Sequence, residues 1–193
     1  MKKLVIAAAI VAAGVGGVSY ANHVATKEVR AEIDKQLALV SEQTGATFKY
    51  ADLSASVISN SVEISNMEVI SSEGDNVASI QSIEVTGYET DKISPHTTFD
   101  VKSFQFNKDF VAKLPADTNT MLASASYDLH SSLDYDEKSG DSDVVVKLDA
   151  KDIVSFNMNM GLANTQALMD ASLAISKAQQ AAGSEPLTYE QEL

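Results

Sequence analysis

The chain has 193 residues, 45% of them apolar and 21% charged, with no cysteine and no tryptophan, and 14 basic residues against 27 acidic ones leave a formal charge of −13. That length suits one ordinary domain. Zero cysteine excludes a disulfide scaffold, thiolate metal sites, a cysteine nucleophile and an acylated lipoprotein cysteine; the acidic balance repels phosphate backbones, so nucleic acid is not expected as a partner.

Residues 1–21 read as a signal peptide or N-terminal membrane anchor. Lys2 and Lys3 precede an uncharged run from Leu4 to Ala21, and a positive end followed by an apolar stretch is the layout of an export signal. Ser19-Tyr20-Ala21 offers a small-x-small cleavage site that makes Asn22 the new N-terminus. Left uncleaved, residues 4–21 form about 27 Å of helix against a hydrocarbon core of about 30 Å, nearly enough to span a membrane and anchor the chain. The chain is therefore expected outside the cytoplasm, membrane-anchored or soluble after cleavage following Ala21. Beyond that segment, 12 basic residues face 27 acidic ones, so the exported part carries −15.

Residues 22–183 are expected to form a single exported β-rich domain, and 184–193 a flexible C-terminal tail. Val24 to Glu42 predicts an amphipathic helix: Val29, Ile33, Leu37 and Val40 share one stripe, and Gly45 suits its end. From Thr47 the period changes to two. Phe48 and Tyr50, then Leu53, Ala55 and Val57, then Val62 and Ile64 alternate with polar residues, with a turn at Asn60-Ser61. Met67 and Val69 resume after a one-residue shift at Asn66, which predicts a bulge. Ser72 to Asn76 is a turn cluster, and Ala78, Ile80, Ile83 and Val85 make a further strand.

Phe99, Val101, Phe104 and Phe106 predict another strand, and Lys108 to Leu114 a short helix stopped by Pro115. Ser124 to Asp134, a hairpin loop from Asp134 to Asp141, Val144 to Leu148 and Ile153 to Met160 continue the alternation. A helix capped by Asn164 then runs to about Ala182, with Leu168, Ala171, Leu173, Ile175 and Ala178 as its apolar side. The fold class that follows is α+β: a mainly antiparallel β meander flanked by N- and C-terminal amphipathic helices.

Few residues here carry chemistry. His23, His96 and His130 are dispersed, none with a second histidine at i+2 or i+4, so each reads as a surface histidine and no metal site is expected. The acidic loop Asp134–Asp143 offers hard oxygen ligands, but Lys138 and Ser139 fall where a calcium loop needs a ligand and a glycine. It reads as a solvated turn. No Gly-x-Ser-x-Gly elbow is present. The chain is expected to be non-enzymatic and to need no cofactor. An apolar ligand is the remaining option, in a sheet–helix groove walled by Phe99, Phe104, Phe106, Phe156, Met158 and Met160.

Gly45-Ala46-Thr47-Phe48-Lys49-Tyr50, Leu53 to Val57, Val62 to Val69 and Ile80 to Val85 resemble the opening unit of the YdgA-like envelope proteins. Leu133 to Asp136 with Val144 to Ala150 is similar to hairpins in that family. The resemblance covers about half the chain, in strand patterns without catalytic residues. It implies a Gram-negative inner-membrane or periplasmic protein. A looser similarity to the AsmA-like proteins, whose β-grooves are associated with lipid transport, implies a lipid or envelope-protein partner. The expected function is binding or scaffolding in the envelope, with an interaction module acting through a sheet edge or the acidic face as the alternative.

Overall fold

The computed structural model describes residues 26–56, 58–87, 92–113, 125–151 and 153–181. The expected export segment 1–21, His23, Val57, Pro115 and the expected tail 184–193 lie outside these. Helix α1 (Thr26–Thr44) is followed by strands β1 (Thr47–Lys49), β2 (Asp52–Ser56), β3 (Ser61–Ile70), β4 (Asn76–Thr86) and β5 (His96–Phe106). Then come a short helix α2 (Lys108–Ala112), strands β6 (Ser126–Asp136), β7 (Asp141–Ala150) and β8 (Val154–Leu162), and helix α3 (Gln166–Ala181).

All eight strands lie in one antiparallel sheet, in the order β1-β3-β4-β5-β6-β7-β8, with β2 also paired to β3. From β3 onward it is a plain meander, in which each strand pairs with the next.

The period-two pattern puts one residue of each strand in each cross-sheet row. One such row runs Leu53, Ile64, Ile83, Val101, Leu129, Leu148 and Phe156; a neighbouring row runs Ala55, Val62, Val85, Phe99, Ser131, Val146 and Met158. Helix α1 lies on this face. All four residues of its predicted stripe, Val29, Ile33, Leu37 and Val40, are buried, the first three in one cluster with Leu53, Val62, Ile64, Met67, Ile80, Ile83 and Val101. Each such side chain contributes roughly 1.5–3 kcal/mol by leaving water. The Gly45 amide, at φ +72°, donates to Ser41 O at 2.8 Å and closes the helix as expected.

The change of facing expected at Asn66 is present, but it is not a shift in pairing. Ser65 still opposes Ser82 and Met67 still opposes Ile80, because β4 changes its alternation in step with β3. Asn66 and, two strands across, Ser103 both take φ near +52°, which rotates the following residues onto the other parity. The actual register shifts fall between Val69 and Ile70, and between Val101 and Phe104.

Coverage of the apolar face stops short of the C-terminal strands. Val154 (56%), Phe156 (51%), Met160 and Leu162 on β8 are exposed, as is Leu148 on β7. Asn164 does not cap α3. It adopts φ +58°, and its amide donates to Asp141 Oδ1. The buried Thr165 then anchors the helix: its amide and hydroxyl both reach Gly140 O, and its hydroxyl meets Ser142 Oγ at 2.6 Å. Within α3 the half-buried side chains are Met169 and Leu173, whereas Leu168 (61% exposed) and Ala171 face water. The side chains of Ile175 and Ala178 lie outside those described. The covered row therefore follows Thr165 at four-residue steps. Among the described residues, no helix is long and apolar enough to cross a membrane.

Candidate functional site

The six residues expected to wall a groove fall into two groups. Phe99 and Phe104 pack against the buried cluster under α1. Phe104 and Phe106 meet edge-to-face at 4.8 Å between ring centroids, with Tyr127 at 5.9 and 6.4 Å from them. They also pack against the smaller cluster of Ala46, Val69, Val77 and Ala78. Phe99, Phe104 and Phe106 are thus half-buried against the core. Phe156, Met158 and Met160 sit three strands further along, on β8, where Phe156 and Met160 are exposed.

The second group belongs to a larger apolar surface. Val144 opposes Met160, Val146 opposes Met158, Leu148 opposes Phe156 and Ala150 opposes Val154. At one end Thr165 ties the start of α3 to the β6–β7 turn, and Tyr135 is buried; that burial, with the nearby Asp170 carboxylate, raises its phenol pKa. Exposed apolar patches of this kind mark binding surfaces more often than scattered single residues do.

The opposite face is polar and carries an ordered charge row. Glu63, Glu84, Asp100, His130 and Lys147 oppose one another on five successive strands, running from acid to base. His130 Nδ1 lies 2.8 Å from Asp100 Oδ1 and His96 Nδ1 lies 2.5 Å from Asp134 Oδ1, so the same two strands bond reciprocally. Separations of 30 and 38 residues along the chain hid these pairs from sequence reasoning. Only the β5–β6 register exposes them. Among the described residues, neither imidazole is hydrogen-bonded to a serine or threonine hydroxyl.

The acidic loop is shorter than its sequence suggested. β6 runs through to Asp136 and β7 starts at Asp141, so Asp134 opposes Asp143 and Asp136 opposes Asp141 as strand residues. Three of these carboxylates hold local partners: His96 for Asp134, the Lys138 amide for Asp136 and the Asn164 amide for Asp141. Among the described residues, no group of three or more carboxylates and imidazoles is placed to hold a metal ion.

A shallow cleft of about 350 Å³ lies where the alternation inverts, lined by Asn66, Met67, Glu68, Ser79, Ile80, Gln81, Ser103 and Gln105. It contains none of the six expected wall residues, and it sits beside the left-handed residues Asn66 and Ser103. Compared with known proteins, the chain matches no family model, and no curated protein matches it significantly.

Proposed function

We propose that this is an exported, non-enzymatic binding protein of a Gram-negative cell envelope, which accommodates the aliphatic part of a lipid on the apolar surface of β6–β8. The observation that carries this reading is the interrupted cover of the sheet. The same apolar rows that are buried under α1 continue to β8, where Val154, Phe156, Met160 and Leu162 meet solvent. Helix α3 forms the second wall and, with α1, flanks the sheet; its half-buried Met169 and Leu173 are the side that a bound chain meets. The apolar residues of β8, from Val154 to Leu162, extend over about 26 Å at 3.3 Å per residue, a length matched to an extended acyl chain.

Charge narrows the ligand. A chain of −13 repels anionic head groups. A neutral or zwitterionic lipid fits. The likeness to YdgA-like and AsmA-like envelope proteins agrees with this reading, as does the export signal at residues 1–21.

The test is lipid extraction from the purified protein, followed by mass spectrometry, together with titration of a fluorescent zwitterionic lipid. Saturable binding that is lost in a Phe156→Ser/Met160→Ser double variant is the expected result. A wild-type protein that neither carries lipid nor binds the probe refutes the reading.

A further inference from the structure

β8 is the outer strand of the meander, and one side of its backbone pairs with no strand among the described residues. Exposed edge strands normally carry a guard: a lysine, a proline, an inward charge or a bulge. β8 reads Val-Ser-Phe-Asn-Met-Asn-Met-Gly-Leu, nine residues without a charge or a proline, and it pairs with β7 in unbroken register from Val154 to Leu162. A chain of −13 thus keeps one long edge electrically neutral.

The pattern of that edge is its own complement. Turned about Met158, Val154 meets Leu162, Phe156 meets Met160 and Met158 meets itself, all on the apolar face. Ser155 meets Gly161 and Asn157 meets Asn159 on the polar face. An isologous twofold contact requires this kind of self-complementarity, and directly opposed apolar pairs are the unit of sheet stabilisation. Among the described residues the edge is open: after Leu162 the chain turns back to β7, with Asn164 and Thr165 bonded to Asp141, Gly140 and Ser142. Paired copies would place their acidic β7 strands three spacings apart, about 14 Å. That exceeds the Debye length of about 8 Å at physiological salt, so their repulsion is largely screened.

We propose that β8 is a self-pairing edge, through which a second copy of this chain adds antiparallel about a twofold axis at Met158 to give one continuous sheet. This does not rest on the lipid reading. Edge pairing lengthens the apolar face without covering it, so dimer mass and lipid binding are read separately.

The test is sedimentation of the full-length chain over a range of concentrations, with two variants that differ only in the sign of one charge. Asn157→Glu/Asn159→Glu opposes like charges twice across the twofold and is expected to weaken the dimer about tenfold. Asn157→Glu/Asn159→Lys opposes unlike charges and is expected to retain it. Asn157 opposes Lys147 on the neighbouring strand, so the substitution at that position meets the same intramolecular partner in both variants. Circular dichroism confirms that each is folded. Because the chain has no cysteine, Met158→Cys introduces a unique thiol. Opposed residues lie about 4.5–5.5 Å apart between Cα atoms, within disulfide reach, so oxidation should yield a covalent dimer. Ser155→Cys, about 20 Å from its twin in this register, should not. A wild-type protein that stays monomeric, a dimer indifferent to Asn157→Glu/Asn159→Glu, or equal crosslinking through Ser155→Cys overturns the proposal.

Discussion

Truncating one side chain under α1 and one on β8 compares the covered and uncovered halves of a single apolar face. Ile33 is fully buried (0% exposed) between α1 and the sheet. Ile33→Ala removes three carbons at about 0.8 kcal/mol each, and the cavity left behind raises the cost to about 3–4 kcal/mol. Phe156 is half-exposed on the same face. Its full burial would be worth about 3 kcal/mol at most, so Phe156→Ala is expected to cost about 1 kcal/mol and to leave no enclosed cavity. For a domain of this size each kcal/mol moves Tm by about 2–4 °C. Ile33→Ala should therefore lower Tm by about 6–16 °C and Phe156→Ala by no more than about 4 °C. The assay is thermal and urea unfolding followed by circular dichroism, at protein concentrations low enough to keep any self-association out of the transition. Equal losses from the two variants would mean that the apolar face of β8 is covered, and would remove the basis of the ligand surface.

Other consequences follow from single contacts. Gly87 sits at φ +77°, and a β-carbon there would collide with the His96 carbonyl oxygen; Gly87→Ala should cost at least about 1–3 kcal/mol in the same unfolding assay. Thr165→Val keeps the shape of the α3 anchor but leaves the buried Ser142 hydroxyl without its 2.6 Å partner. That is worth about 1–3 kcal/mol, and hydrogen exchange should show α3 opening before the sheet. Tyr50 donates to Asp34, and burial followed by that hydrogen bond pushes its phenol from 10.0 up to about 12. Between those values the unfolded chain releases the proton while the native state holds it. The stability this contributes is fully present below about pH 10 and falls as pH rises toward 12, and Tyr50→Phe should remove that part of the alkaline dependence. Absorbance of tyrosinate should show this late titration in the wild type and its loss in the variant.

Features governed by local periodicity were legible in the sequence. The α1 stripe, the Gly45 stop and the alternating strands follow from spacing, because one residue step fixes which side of a helix or strand a side chain takes. What escaped was set by pairing. Both Asn66 and Ser103 invert the alternation, yet only the aligned strands show that β3, β4 and β5 invert together and open the cleft at Gln81. The pairing of His130 with Asp100 and of His96 with Asp134 likewise depends on the β5–β6 register. The wall residues illustrate the same boundary. Alternation marked Phe99, Phe104, Phe106, Phe156, Met158 and Met160 as apolar-facing, but the position of the helices decided which became core.

The shortage of cover on that face has a geometric cause. A helix is about 10–12 Å wide and strands are spaced about 4.8 Å apart, so one helix shields two to three strands. Helix α1 meets that limit over the β2–β4 end of the sheet, and its cluster reaches β5 through Val101. The strands beyond need a second layer, and α3 is attached to them through Thr165 at its start. In-plane growth cannot supply that layer. A second copy added at β8 satisfies the backbone of the edge but extends the apolar face sideways. The hydrophobic cost of the uncovered rows must therefore be met from above the sheet, by α3 closing down or by an apolar ligand between them. Edge and face thus pose two separate physical problems, unsatisfied backbone groups and unburied apolar area, and no single contact in the plane of the sheet resolves both.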